Sequence, residues 1–343
     1  MGTNRQLILT SRPDGRVSLA NFEIRDSALR TVQEGEVLVR TQYLSIDPTN
    51  RIWMSDRPQY MPPVELGTVM RGFGIGQVIE SRKPDFQPGD LVAGLLGWQT
   101  HCYSDASALR PLQKLPSGLG VPPRAFLGSL GMTGGLTAYF GMMVIGQPKA
   151  GETVVVSAAA GSVGSLAGQL AKRHGCRVIG IAGSPEKCQY VTSELGFDAC
   201  IDYAHEDVGT ALDRLCPNGI DVYFENVGGA ILEAVLARLQ LRARIVLCGM
   251  ISHYNDKDVL AGPRNFDMIL HRRARIEGFI VSDFIARFPE AFAELVPLVL
   301  SGQLKYREHI VSGLENAPAA VNMLFDGKNL GKLLLQVAPD AAS

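Results

Sequence analysis

Residues 153–164 read Thr-Val-Val-Val-Ser-Ala-Ala-Ala-Gly-Ser-Val-Gly. An apolar, β-branched run stops at a turn of small residues, and a helical pattern follows from Ser162 to about Gly175. Strand, tight turn and helix start is the geometry that receives a dinucleotide pyrophosphate: backbone approaches the phosphates closely, and the first helical turn offers free N–H groups and a positive dipole end. Gly161 and Gly164 occupy the last two glycine positions of the G-x-G-x-x-G fingerprint, while Ala159 stands in the first. An ordinary buried strand with a glycine-rich turn would leave a similar trace, so the neighbouring segments must decide.

The second strand runs from about Arg177 to Ala182 and ends in Ala182-Gly183-Ser184-Pro185-Glu186-Lys187. A cofactor with a free ribose 2′-hydroxyl is usually marked here by an acid. No carboxylate precedes Glu186, and a small loop with a hydroxyl and a cation suits a 2′-phosphate better. NADPH is therefore the expected cofactor, with Ser184 and Lys187 near its 2′-phosphate. The plainer alternative for Lys187 is a solvated lysine on the helix that Pro185 starts.

From Thr153 onward strands and helices alternate. Strands are expected near 153–157, 177–182, 199–202, 220–225, 243–248 and 275–281, and helices near 162–174, 185–195, 206–215, 229–239, 265–272 and 283–301. Such alternation predicts a doubly wound parallel sheet covered on both faces. The first ~125 residues read differently, as short strands with frequent Gly and Pro, in the manner of an antiparallel barrel or sandwich. Glu36–Ile46 alternates, and Val69–Glu80, with Gly72, Gly74 and Gly76, reads as one tightly bent strand. Ala125–Gly146 reads as a long apolar helical stretch interrupted by Gly131, Gly134 and Gly135. After Leu304 come a strand, a helix over Asn316–Phe325 and a strand over Lys332–Val337, which return most economically to the first domain. The expected organisation is a discontinuous catalytic domain (1–125 plus 304–343) holding an inserted dinucleotide-binding domain (126–303), with the active site in the cleft between them.

With 33 basic and 34 acidic residues, the net charge of −1 gives no electrostatic case for nucleic acid or an anionic membrane. Apolar runs are broken well short of a membrane span. Cys102, Cys176, Cys188, Cys200, Cys216 and Cys248 form no C-x-x-C pair, which argues against a disulfide framework and a structural zinc site. Free thiols in a reducing cytoplasm are the simplest account.

Ser157–Gly164 (SAAAGSVG), Gly183–Lys187 (GSPEK), Leu195–Asp198 (LGFD), Glu225–Gly229 (ENVGG), Cys248–Asn255 (CGMISHYN), Gly131–Gly141 (GMTGGLTAYFG) and Asp326–Lys332 (DGKNLGK) together resemble the zinc-independent branch of the medium-chain dehydrogenase/reductase superfamily. The likeness is to its alkenal double-bond, prostaglandin and curcumin reductases. It implies a Rossmann sheet inserted in a mainly β, GroES-like barrel domain, a homodimer joined through the cofactor domains, and NADPH-dependent reduction of a carbon–carbon double bond conjugated to a carbonyl. By that resemblance Gly161 and Val163 lie at the pyrophosphate turn, Lys187 and Tyr203 hold the 2′-phosphate, and Asn226 lies beside the cofactor. Cys248 and Ile251 flank the nicotinamide, Phe279 and Val281 offer backbone near its carboxamide, and Asn329 reaches back from the last segment. Asp47-Pro48-Thr49-Asn50-Arg51, Arg71–Gly74 and Gly134-Gly135 depart from the family pattern on the substrate side.

The zinc-dependent relatives of that superfamily carry an early Cys and a Gly-His-Glu element. Here the matching stretches are Ser45-Ile46-Asp47-Pro48 and Leu66-Gly67-Thr68-Val69, and His101-Cys102 reads as a strand pair. No metal is expected, and without a Lewis acid alcohol oxidation is the weaker hypothesis. The expected substrate is a small enone or enal. Tyr254 and the nicotinamide ribose hydroxyl are the candidate donors to the oxygen that gains charge, and Tyr60, Met70, Met132 and Phe279 are candidates to line an apolar slot, each with the equal alternative of being ordinary core. Tyr254 has the alternative of merely packing over the pocket. The competing functions are an NADPH quinone reductase and a non-enzymatic NADPH-binding protein.

Overall fold

The computed structural model describes residues 2–107, 111–256 and 262–338. The first part of the chain gives β1 (Thr3–Leu9), β2 (Phe22–Ala28), β3 (Val37–Ser45), α1 (Pro48–Trp53), β4 (Thr68–Val69), β5 (Phe73–Ser81), β6 (Leu91–Leu95), β7 (His101–Ser104) and β8 (Leu112–Lys114). The middle gives α2 (Thr137–Tyr139), β9 (Thr153–Ser157), α3 (Ser162–Arg173), β10 (Arg177–Ala182), α4 (Pro185–Gln189), β11 (Ala199–Asp202), α5 (Val208–Leu215), β12 (Ile220–Glu225), α6 (Gly229–Leu236), β13 (Leu239–Leu247), α7 (Met268–Arg272), β14 (Arg275–Gly278) and α8 (Phe288–Leu300). The chain closes with β15 (Glu308–Ser312), α9 (Ala317–Phe325) and β16 (Lys332–Gln336).

Two compact units result: residues 1–127, 308–329 and 333–343 form one, and 128–307 with 330–332 form the other. In the first, a sheet ordered β15-β16-β3-β5-β6-β8, with β7 also on β3, stands beside a smaller sheet ordered β2-β1-β4. The central strand β3 is buried on both faces, with Val37, Val39, Leu44 and the polar Thr41 and Ser45 almost unexposed. Simple alternation fails there because β5, β7 and β16 all pair with it. Val69–Glu80 is two strands in two sheets rather than one bent strand. Met70 breaks it by giving its N–H to Leu7 O and accepting from Trp98 N (2.9 and 2.7 Å).

The second unit is a six-stranded parallel sheet ordered β11-β10-β9-β12-β13-β14. Chain order reverses between β9 and β12, so the cofactor-side crevice of such a sheet opens there, beyond the carboxyl ends of the strands. Val154, Val155 and Val156 on β9 are 0% exposed, as a strand covered on both faces requires, and each such side chain contributes about 1.5–3 kcal/mol. The expected helices are shorter than their apolar patterns. Residues 281–287 form a 3₁₀ turn and α8 starts at Phe288, because Pro289 in its first turn cannot continue an earlier helix. The helix after Gly229 stops before Leu239, where β13 begins. The strand placed at 275–281 ends at Gly278. In 125–146, α2 is flanked by wider turns over Met132–Leu136 and Phe140–Gly146. Gly134 and Gly135 are required there: a Cβ would meet Gly128 O at 2.1 Å and Ser129 O at 1.8 Å. Among the described residues no helix is long and apolar enough to cross a membrane.

Candidate functional site

The turn between β9 and α3 is built for close approach. Ala158 adopts φ 49°, a left-handed conformation that costs an L-residue of order 1 kcal/mol. It turns its carbonyl under the helix start, where Gly161 N donates to it at 2.9 Å. Gly161 is the N-cap of α3 in an extended conformation, without a side chain to satisfy the first helical N–H groups. A Cβ on Gly164 would lie 2.5 Å from that same carbonyl oxygen. The twelve-residue α3 thus presents its first turn, with Val163, to whatever lies beyond β9. These features fit a dinucleotide pyrophosphate.

At the ends of β10 and β11 the three residues assigned to the 2′-phosphate come together. Ser184 caps α4, its Oγ accepting from Lys187 N at 3.2 Å. The Tyr203 hydroxyl lies against Gly183, where a Cβ would be only 2.6 Å from it. Lys187 is half-buried, and burial pulls its pKa below the ordinary lysine value, so an anion beside it would offset a desolvated charge.

Beyond β12 and β13 the sequence predictions meet a residue they missed. Glu225, 0% exposed, ends β12. Its Oε1 accepts from Val227 N (2.6 Å), Gly228 N (3.0 Å) and Ser157 Oγ (3.0 Å). Burial raises its pKa, and these donors oppose the rise. Asn226 is thereby fixed: its backbone N donates to Ser157 Oγ at 2.8 Å and its Nδ2 to Ser157 O at 2.7 Å. Asn226 O then accepts from Ile251 N at 3.1 Å, which ties the loop after β13 to the end of β12. The signals in the sequence were an acid closing the mostly apolar strand Ile-Asp-Val-Tyr-Phe-Glu and its place at the head of the Glu225–Gly229 motif.

A cleft of about 450 Å³ opens at the ends of β13 and β14, lined by Leu247–Met250, Tyr254, Gly278–Ile280 and Asp283. Cys248, Tyr254 and Phe279, from separate segments, line this cleft together; Ile251 and Val281 lie in 3₁₀ turns next in sequence to lining residues. The Tyr254 hydroxyl accepts from Met250 N at 3.0 Å, which turns its own proton away from that amide. Burial, and then the Glu225 charge, push the Cys248 thiol up to about 12, so it is an inert neutral lining group.

Other predicted positions lie elsewhere. Met132 begins the wide turn before α2 and is not part of the cleft lining. Tyr60 and Asn329 belong to the other unit. The Tyr60 hydroxyl pairs with Thr49 and accepts from Trp53 Nε1 at 3.1 Å; burial of the phenol raises its pKa. For Met70 the structure favours the core alternative: at 0% exposed it packs in that unit with Leu7, Trp53 and Trp98, its backbone held between β1 and Trp98. Among the described residues no group of three or more His, Cys, Asp or Glu side chains is arranged to hold a metal.

Two family profiles match the chain: "N-terminal domain of oxidoreductase" over residues 5–112 and "Zinc-binding dehydrogenase" over 162–300. The chain is 45% identical to the NADPH-dependent curcumin reductase of Escherichia coli (strain K12), over 98% of each chain. It is 41% identical to the NADP(+)-dependent 2-alkenal reductase of Nicotiana tabacum, again over 98% of each. Its fold superposes on CurA from Vibrio vulnificus, crystallised with NADPH, with a TM-score of 0.90 at 44% identity, covering 98% of this chain and 100% of that one. With relatives this similar along nearly its whole length, and with one unit of Rossmann strand order and another that is GroES-like, the chain belongs to the zinc-independent branch of the medium-chain dehydrogenase/reductase family.

Proposed function

We propose that this protein is an NADPH-dependent reductase of the carbon–carbon double bond in α,β-unsaturated ketones and aldehydes. The observation that carries the reading is the 45% identity to a curcumin reductase, joined to a chain whose β9–α3 turn and 183–187 loop suit NADPH. When bound, NADPH supplies a hydride to the β-carbon of the conjugated double bond. The α3 first turn with Gly161, Val163 and Gly164 would seat the pyrophosphate, Ser184, Lys187 and Tyr203 the 2′-phosphate, and Asn226, Cys248, Ile251, Phe279, Val281 and Asn329 the nicotinamide half. Apolar Leu247, Phe279 and Ile280 exclude water, which strengthens any donor aimed at the substrate oxygen. Tyr254 is that donor. The amide of Met250 holds its phenolic oxygen, and the phenol O–H gives a hydrogen bond to the oxygen that gains charge. Tyr60 and Met132 remain candidates for substrate contact.

The finer reading is a cytoplasmic homodimer joined through the cofactor units. It is supported by six free cysteines and by β14, which has no strand beyond it among the described residues. Leu270, on α7 just before that edge, is 75% exposed, as an interface residue of a free subunit would be. An NADPH-oxidation assay against short enals, aryl enones and quinones tests the function. Turnover of enones supports it. Turnover of quinones alone would make the protein a quinone reductase, and NADPH binding without any turnover would make it non-enzymatic.

A further inference from the structure

The carboxyl ends of β9, β12 and β13 are joined by one hydrogen-bonded network, and Glu225 is its centre. The side chain holds Val227 N, Gly228 N and Ser157 Oγ on Oε1. Its main-chain oxygen accepts from Cys248 N at 3.0 Å and Gly249 N at 3.1 Å. Just beyond, Asn226 O and Val227 O accept from Ile251 N and Ser252 N (3.1 and 3.0 Å). The turn that carries these groups is tight: Gly228 has φ 81°, and a Cβ there would lie 3.0 Å from the His253 ring and 3.3 Å from the Met250 methyl. The other carboxylate oxygen, Oε2, is buried without a hydrogen-bond partner among the described residues. We propose that Glu225 is a positioning residue for hydride transfer: its carboxylate fixes the 226–228 turn, and through it Asn226 and the Cys248–Tyr254 loop, so that one face of the nicotinamide is presented to the substrate.

The bare Oε2 argues that the carboxylate serves more than stability. A buried polar atom left unsatisfied destabilises a fold, a charged one most of all. A neutral acceptor such as glutamine would hold the same turn with no carboxylate to desolvate, and departures of this kind gather where geometry serves function. Glu225 is fully buried, so it acts through its neighbours, by two routes. In the first, Ser157 Oγ is shared between Glu225 Oε1 and Asn226 N, so the contact that holds the carboxylate also sets Asn226. In the second, Ile251 and Ser252 are drawn to the turn, which places Met250 N, the donor that orients the Tyr254 hydroxyl. Without the carboxylate both routes lose their anchor, and a misplacement of about 1 Å is enough to slow a positioned transfer about a hundredfold. Ser184, Lys187 and Tyr203 follow β10 and β11, outside this network, so the adenosine half of the cofactor should not sense the change.

This inference rests on the proposed NADPH-dependent reduction, and the test separates the two. Glu225→Ala, Glu225→Gln and Ser157→Ala are compared with the wild-type protein. The readings are the single-turnover rate with an aryl enone, the face that gives up deuterium when pro-R- or pro-S-labelled NADPH is supplied, and the affinities for NADPH and for 2′,5′-ADP, which lacks the nicotinamide half. In Glu225→Ala the rate should fall roughly ten- to a hundredfold, and transfer should pass from one face to both. Ser157→Ala, which removes a single donor, should lose less, and Glu225→Gln, which keeps an acceptor in place of Oε1, should recover most of the rate. Affinity for NADPH should fall much further than affinity for 2′,5′-ADP. Glu225→Ala and Ser157→Ala proteins that transfer from one face at the wild-type rate would overturn the proposal. So would equal losses of both affinities, the mark of a merely structural residue. If Glu225→Ala does not fold, Ser157→Ala decides by the same readings. Wild-type protein that binds NADPH but reduces no enone would strike the reductase reading alone, and the paired affinities would still show whether Glu225 positions the nicotinamide half.

Discussion

Gly164→Ala offers a sharp test of the pyrophosphate turn, because the added carbon would meet backbone. It would lie 2.5 Å from Ala158 O and 3.0 Å from Ala158 C, well inside van der Waals separation, and neither atom can rotate away. Overpacking of this kind costs about 1–3 kcal/mol, and the better helix propensity of alanine returns up to about 1 kcal/mol. A net loss of roughly 1–2 kcal/mol corresponds to a Tm about 2–8 °C lower for domains of this size. Relief requires the first turn of α3 to move from the Ala158 carbonyl, so NADPH affinity should fall about tenfold or more, the worth of one hydrogen bond to a charged group. Gly161→Ala is the internal comparison. Its Cβ would stand 3.1 Å from the same oxygen at φ −83°, so its stability cost should stay within about 1 kcal/mol, the scale of an N-cap change. Calorimetry and a fluorescence titration of NADPH read both quantities. A Gly164→Ala protein with native Tm and affinity, or a Gly161→Ala protein that loses more stability, would refute the close-approach argument.

Lys187→Ala should weaken NADPH by roughly 1.5–3 kcal/mol and barely touch NADH; equal losses in parallel titrations would show that Lys187 does not read the 2′-phosphate. Tyr254→Phe should keep NADPH affinity yet slow single-turnover enone reduction, at or below the low end of the ~2.7–4 kcal/mol known for one oxyanion donor, with an unchanged rate reassigning the residue to packing. For Glu152, burial raises the carboxyl, but the paired bonds from Arg244 (2.9 and 2.5 Å), the Lys149 N–H at 2.8 Å and the two positive charges together outweigh it and hold its pKa below the ordinary value of 4.5. Its stabilisation is therefore present above about pH 4.5 and lost as pH falls through the lower folded value. Glu152→Gln should destabilise by about 1–3 kcal/mol at pH 7 and by progressively less toward pH 3 in denaturant titrations; a loss independent of pH would contradict the ion pair. Chelator treatment should leave activity intact, and activity lost to chelator and restored by zinc would contradict the metal-free site.

The parallel sheet was legible because its strands are local, apolar and punctuated: Thr153–Ser157, Arg177–Ala182 and Ile220–Glu225 lie where the patterns put them. The barrel was harder. The burial of β3 depends on partners from distant segments, including β16, and periodicity cannot report a strand paired on several sides. Met70 could have been wall or core, because an apolar side chain near glycines reads alike in both; its burial and its backbone bonds to Leu7 and Trp98 favour the core. The 183–187 loop carried its chemistry in the sequence through a missing acid and a present lysine. Glu225 did not, since its role lies in three donors supplied by Ser157, Val227 and Gly228, two of them backbone.

The central claim, reduction of the alkene rather than the carbonyl, is tested most directly by following a label. The protein is supplied with an aryl enone and NADPH deuterated at the transferable position of the nicotinamide, and the product is read by NMR. The account predicts a saturated ketone carrying deuterium at the former β-carbon. An allylic alcohol with deuterium at the carbonyl carbon, or recovered enone with undiminished NADPH, would contradict it.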